Sequence, residues 1–203
     1  LGLSAGYYGG IADTIILRSA DVTFAFPPLF FAILIVATLG PSLINILIAL
    51  TITGWPEGTR IVRAETLRLR EKEFIESAHS AGLPVWRILQ RHFIPNLISV
   101  VMVAATMKIS RVIIAESVLS FLGIGIQPPT PSWGSMIYET YEYMQSDAYL
   151  TLIPGTGMVL LVLAFNFMGE GLRDALDPRL ARLIRGRSRR RFFSNTVKAQ
   201  ETT

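Results

Sequence analysis

The sequence predicts an all-α, polytopic membrane helical bundle, and three observations carry that prediction. Charge is sparse: Asp, Glu, Lys and Arg make up 17% of the chain, against about 25% in an ordinary soluble domain. Between Asp147 and Glu170 no side chain is charged, and Tyr149 to Met168 is dominated by Leu, Val, Ile, Phe and Met. A helix needs about 20 apolar residues to cross about 30 Å of hydrocarbon. This stretch supplies them, and a buried helix of a large soluble protein is the competing reading. The basic residues, finally, fall in blocks between the apolar runs.

Taken in order, Leu1 to Gly10 is a partial span, the tail of a helix closed by a glycine-rich turn. Val22 to Leu39 is a charge-free span with Pro27 and Pro28 near its start, where proline costs a helix least. Pro41 marks a short turn. Leu43 to Trp55 opens the next span, too short by itself and extended through Ile61 and Val62. Leu97 to Ile126 is a span that holds Lys108, Arg111 and Glu116, and Ala148 to Gly169 is the last.

The placement of positive charge orients these spans. Of the 19 Lys and Arg, seven lie between Pro56 and Asn96 and nine follow the final span. The segment from Gln127 to Asp147 holds none, but carries Glu139, Glu142 and Asp147. The central loop and the C-terminus are therefore expected on the cytoplasmic side, and 127–147 outside. The partial helix then arrives from outside. The chain opens at Leu1 without an initiator Met, so a truncated beginning is expected, and a cytoplasmic N-terminus would need at least one more helix upstream, making six spans in the intact protein. There are no cysteines, so disulfides and thiolate metal sites are excluded.

The cytoplasmic stretch from Glu71 to Asn96 reads EKEFIESAHSAGLPVWRILQRHFIPN. Glu73 to Ala81 has good helix formers, and Gly82 and Pro84 stop it. A second short helix, Val85 to Phe93, is expected to end before Pro95. Ser77, Ala78, Ala81 and Gly82 give a small-residue surface beside Glu76. Two readings are open on the residues alone: a surface shaped to enter a partner's groove, or an ordinary helix–turn–helix linker.

Glu76-Ser77-Ala78, then Gly82, then His92-Phe93-Ile94-Pro95-Asn96 resembles the EAA loop of bacterial ABC importer permeases. The pattern departs at Ser77, where Ala is usual, and at Phe93-Ile94, where Ile-Leu is common. Both changes keep size or apolarity. AGYYGG (5–10), AESVLSFLGIGIQPPTPSWGSM (115–136) and LAFNFMGEGLRDALDPRL (163–180) look like the dipeptide/oligopeptide/nickel branch, specifically its second, C-type, permease. The likeness covers 1–180, a permease transmembrane domain with a cytoplasmic coupling loop at 65–96 and an external loop at 127–147. Residues 181–203 are a basic tail.

The resemblance implies a bacterial or archaeal cytoplasmic-membrane protein working with a second permease, two cytoplasmic ATPase subunits and an extracytoplasmic solute-binding protein. Glu76, Ser77, Ala78, Gly82, Ile94 and Pro95 would take up movement from an ATPase. The sequence holds no GxxxxGK[ST] loop, so no cofactor is expected in this chain; ATP and Mg would be bound by the ATPase subunits. The cargo stays open among dipeptides, oligopeptides, nickel chelates, opines and glutathione. An ion-coupled secondary transporter or channel is the rival from another class, and a membrane scaffold without transport the second.

Charged groups within a span usually face protein or water, because a charge at the bilayer centre costs roughly 2.5–3.5 kcal/mol on insertion scales. Lys108 and Arg111 share a helix face, whereas Glu116 lies about 140° from Arg111, so pairing of those two along one helix is poor. Each of the three either lines the translocation path or pairs with another helix. The external loop is proline-rich, then aromatic; Trp133 and Tyr138 suit either docking of a binding protein, an outer gate, or a rigid cap in the headgroups. The arginine-rich tail (Arg179 to Phe193) reads as a contact with anionic lipid rather than nucleic acid. His79 and His92 have no metal-ligand neighbours in the sequence, so no metal site is expected. No paired carboxylates and no Ser/His/Asp set suggest catalysis.

Overall fold

The computed structural model describes residues 1–176, and every regular element among them is helical, as expected. In chain order these are α1 (Gly2–Tyr8), α2 (Gly10–Phe24), α3 (Pro28–Leu39), α4 (Leu43–Arg70), α5 (Glu73–Ser80) and α6 (Val85–Ile88). A π-helical turn, Leu89–Phe93, joins α6 to α7 (Ile94–Phe121), and α8 (Trp133–Tyr141) and α9 (Tyr149–Leu176) complete the set. The basic tail at 181–203 lies outside the described residues.

The first glycine turn forms where the sequence places it, with Gly9 at φ 66° and Gly10 at φ 56°. Side chains adopt that backbone only at a cost. The chain then re-enters helix at once, so the connection bearing Asp13, Arg18 and Asp21 is helical. The span expected at Val22–Leu39 is built differently. Its first residues finish α2, which meets α3 at 81°. Pro28 sits in the first turn of α3, and Pro27 is extended at ψ 125°, as a residue before proline is driven to be. With 12 residues, α3 is about 18 Å long, short of the bilayer core.

α4 also departs from expectation. It runs to Arg70, well past Val62, so much of the segment read as loop from Pro56 is helix. Its 28 residues extend about 42 Å. Apolar character ends near Thr53, and Glu57, Arg60, Arg63, Glu65, Arg68 and Arg70 follow. Pro56 lies inside it, removing one amide donor without ending the helix. Among the described residues two stretches are long and apolar enough to cross a bilayer, Val85–Phe121 and Tyr149–Leu176, or three if α2 and α3 count as one bent span.

α4 and α7 are the axis of the bundle. α1 and α3 pack on α4, α9 packs on α7, and α8 rests across α7 and α9. α1 approaches α4 closely because Gly2 and Gly6 face it. A Cβ on Gly2 would lie 2.5 Å from the Thr59 carbonyl oxygen, and one on Gly6 would lie 2.7 Å from Thr66 Cβ. This is the small-residue packing that membrane helices use in place of a hydrophobic driving force. Gly6→Leu is expected to push α1 off α4 and cost about 1–3 kcal/mol, read as a lowered Tm of the detergent-purified protein. An unchanged Tm would refute the packing.

Two buried clusters hold the ends. Ala32, Val36, Ile46, Ala49 and Leu119 join α3, α4 and α7 at one end. Leu69, Ile75, Ala78, Ile88, Phe93 and Leu97 join α4, α5, α6 and the start of α7 at the other, with Leu3, Tyr7 and Val62 against them. Much of the remaining apolar surface faces outward, including Phe30, Leu160 and Phe167, each about two-thirds exposed. Such a surface suits lipid or another membrane subunit.

Candidate functional site

α5 is fixed by its two ends. Glu73 and Glu76 stand in its first turn, where the helix dipole favours negative charge. Its last turn closes as a Schellman motif: the Gly82 amide donates to the His79 carbonyl (3.0 Å) and the Leu83 amide to the Ala78 carbonyl (3.3 Å). That geometry needs a left-handed residue, and Gly82 takes φ 72°. Leu83, following it, packs on the cluster beneath.

The two faces of α5 differ. Ile75 and Ala78 are buried against Leu69, Ile88, Phe93 and Leu97. Glu76, Ser77, Ala81 and Gly82 are exposed. Ala78 is thus corrected: its side chain belongs to the inner face, where only a small group fits, and it is no part of the outward small-residue surface. Ser77 donates its hydroxyl to the Glu73 carbonyl at 2.8 Å. Turned back on its own helix, the hydroxyl adds little to the exterior.

His79 on the same helix meets α1. Its Nε2 lies 3.4 Å from the Tyr7 hydroxyl, and the two rings stack at 6.3 Å. Tyr7 in turn meets the Phe93 ring edge-on at 5.4 Å. A displacement of α5 is therefore felt by α1, α4 and α7 together.

Pro95 does not end the second helix as expected. α6 passes through the π-turn into α7 without a break, and Pro95 sits in the first turn of α7. Proline is tolerated there because its missing N–H falls where the ladder is already widened. The Asn96 side-chain amide donates to the His92 carbonyl at 2.7 Å, serving a carbonyl in that widened turn. Ile94 and Pro95 are both exposed.

The charged candidates in α7 do not form one constellation. Lys108 and Arg111 line an open groove of about 790 Å³ between α4, α7 and α9. The Lys108 ammonium donates to the Gly54 carbonyl at 2.6 Å, and Arg111 forms an ion pair with Glu57. Glu116 stands apart, accepting from the Ser120 hydroxyl at 2.6 Å, while Ser120 Oγ accepts the Ile126 amide at 3.0 Å. It thereby braces the turn after α7, where Gly123 and Ile124 close a second Schellman motif on Ser120 and Leu119.

The segment 127–147 holds a helix, α8, capped by Ser132, whose hydroxyl accepts the Ser135 amide. Three prolines and a row of aromatics conceal its nine residues in the sequence. Trp133 turns inward over Gly157 of α9; a Cβ there would lie 2.7 Å from the indole. Tyr138 is exposed and meets Phe121 edge-on at 6.0 Å. Gly134 is pressed so closely on the Ser117 backbone that no side chain fits.

Sequence reasoning also missed the clamp holding α2. Arg63 donates to both carboxylate oxygens of Asp13, at 2.5 and 2.6 Å. Arg60 donates to Asp21 at 2.6 Å and covers the Phe24 ring at 4.7 Å. The signal was present: isolated opposite charges in an apolar chain must find partners. Among the described residues no group of three or more His, Asp or Glu side chains could hold a metal ion.

Residues 1–182 match the family described as "Binding-protein-dependent transport system inner membrane component". The chain is 47% identical over 180 residues to a glutathione transport system permease protein, GsiD, of Pectobacterium atrosepticum, covering 89% of this chain and 60% of that protein. It is 45% identical over 180 residues to a dipeptide transport system permease protein, DppC, of Alkalihalophilus pseudofirmus, covering 89% and 59% respectively. A GsiD of Escherichia coli is 47% identical over 174 residues, covering 86% and 57%. The chain thus spans about three-fifths of the length of these relatives.

Proposed function

Because the chain belongs to the family of binding-protein-dependent transport system inner membrane components, we propose that it is a membrane-spanning permease subunit of an ATP-driven importer of peptides. The observation that carries the proposal is α5. Its outer face, with Glu76, Ser77 and Gly82, is open to solvent; its inner face is locked into the cluster joining α1, α4 and α7. A partner pushing on that outer face moves the bundle. Ile94 and Pro95, at the foot of α7, complete the surface presented to it.

In this reading two cytoplasmic ATPase subunits bind ATP and Mg and supply the push, and this chain needs no cofactor of its own. A second permease completes the path, and a solute-binding protein delivers cargo from outside. The coupling loop and the C-terminus face the cytoplasm, and 127–147 faces out in the cytoplasmic membrane of the cell. Tyr138, exposed on α8, is the better placed of the two external candidates for meeting the binding protein; Trp133 holds α8 on α9. Lys108 and Arg111 line the path, whereas Glu116 fixes its outer turn.

The names of the relatives, a glutathione and a dipeptide permease, support a short peptide as cargo, with glutathione, itself a tripeptide, as the alternative. The test is reconstitution of the intact complex in proteoliposomes with its binding protein. ATPase subunits are expected to copurify, and uptake of a labelled dipeptide or of glutathione is expected to stop when ATP is withheld. Uptake that persists without ATP and follows an ion gradient would establish the secondary-transporter reading instead.

A further inference from the structure

We propose that Lys108 recognises a carboxylate of the transported substrate, so that the path through this chain is selective for molecules with a free anionic end. The inference rests on the importer reading and adds the chemistry of one site within it. The groove between α4, α7 and α9 has apolar walls, among them Ile61, Val62, Val103, Ala104 and Met107. Its charged groups are Glu57, Arg68, Lys108, Arg111 and Arg173, and they sort by the partners they already have.

Arg111 is neutralised by Glu57, and Arg68 is paired with Glu65 at 2.6 Å. Arg173, in the last turn of α9, likewise has no carboxylate within ion-pair distance among the described residues, but it stands at a helix end. Lys108 stands midway along α7 and rests on a backbone carbonyl. Among the described residues no carboxylate lies within ion-pair distance of it, and its one partner is the Gly54 carbonyl. A carbonyl accepts a hydrogen bond but brings no net charge, and an ammonium has three donors. Two N–H groups and a full positive charge remain. The residue lies 14 positions beyond the start of α7, about 21 Å along the helix, inside the stretch Val85–Phe121 that is long and apolar enough to cross a bilayer, where an uncompensated charge is costly.

The position is also built. A Cβ on Gly54 would stand 2.5 Å from Nζ and 2.9 Å from Cε, so glycine is what lets the ammonium lie on the α4 backbone. Two residues on, Pro56 lacks the amide that the Ile52 carbonyl would otherwise accept, leaving this turn of α4 more polar than its neighbours. A cation held from behind by a backbone carbonyl, in front of an apolar groove, fits a carboxylate carried on an apolar body.

The experiment uses the intact complex with its binding protein in proteoliposomes and two probes, Ala-Ala-Phe with a free C-terminus and the same tripeptide as its C-terminal amide. The ratio of their ATP-dependent uptake rates is compared between complexes, so that discrimination by the binding protein cancels. Lys108→Met is expected to lower the carboxylate-to-amide ratio about tenfold, as loss of one charged hydrogen bond predicts, and Lys108→Arg to keep it within about twofold. Gly54→Ala, which leaves the lysine but takes its seat, shifts the ratio in the same direction and carries the test if Lys108→Met does not assemble. An unchanged ratio in these variants, with ATP-dependent uptake intact, overturns the carboxylate site and leaves the importer reading standing. Lys108-dependent retention of an anionic phospholipid with no change in ratio overturns it as well. Absence of ATP-dependent uptake in the unsubstituted complex overturns the importer reading itself.

Discussion

Gly82→Trp is expected to leave the protein in the membrane with its fold intact and to reduce ATP-driven uptake at least tenfold, while Gly82→Ala retains most of it. The pair separates two effects. Gly82 has φ 72°, and any L-residue in the left-handed region costs about 1–2 kcal/mol, a cost alanine and tryptophan share. A Cβ at this position meets nothing within 4 Å, so the added bulk strains no internal contact. Tryptophan then differs from alanine only in what it projects outward, toward the surface proposed for the ATPase. The measurement is uptake per ATP hydrolysed, together with copurification of the ATPase subunits. Equal uptake by the two variants would show that this turn is not a contact.

Phe93→Ala is expected to have the second large effect. Phe93 is fully buried, in the one cluster that α4, α5, α6 and α7 share, with Tyr7 edge-on against it. Truncating a buried phenylalanine costs about 3–5 kcal/mol, and here the cavity opens between α5, proposed as the coupling helix, and the helices packed on it. ATP hydrolysis should continue while uptake falls, because the helix would yield into the void before carrying α7 with it. Phe93→Leu, which refills much of the volume, should recover most of the uptake and of the Tm. If Phe93→Ala lowered the Tm but left uptake per ATP unchanged, the cluster would be a matter of stability alone.

Long, uniform signals were legible in the sequence and short, compensated ones were not. The charge-free run to Met168 and the Gly82–Pro84 stop each rest on a single strong local preference, and both are found where expected. α4 was cut short because Pro56 and the charges after it look like a loop. In the fold the helix carries them, since Arg60 and Arg63 find Asp21 and Asp13 on α2, partners some 40 to 50 residues away that no local window contains. Pro95 misled for a related reason: a proline ends a helix only when its missing amide is missed, and the widened turn before it removes that demand. Ala78 looked like exterior because small residues look alike in sequence; only the inward neighbours Ile75 and Phe93 reveal which side it serves. Among the candidate charges, spacing put Lys108 and Arg111 on one face, but Glu57 and Gly54, which tell them apart, come from another helix.

The widened turn at Leu89–Phe93 also sets an angular phase. Each residue of an α-helix advances the side chains by 100°, and a π-turn inserts one residue beyond that count. Everything C-terminal to it, Lys108 and Arg111 included, is therefore rotated by about a quarter-turn relative to the frame in which α5 and α6 are packed. Deleting one residue from 89–93 would restore a regular helix and leave the coupling helix in place, yet it would swing both cations out of their groove. The packing of α5 and α6 at one end and the facing of Lys108 and Arg111 at the other are thus held in register by a single turn.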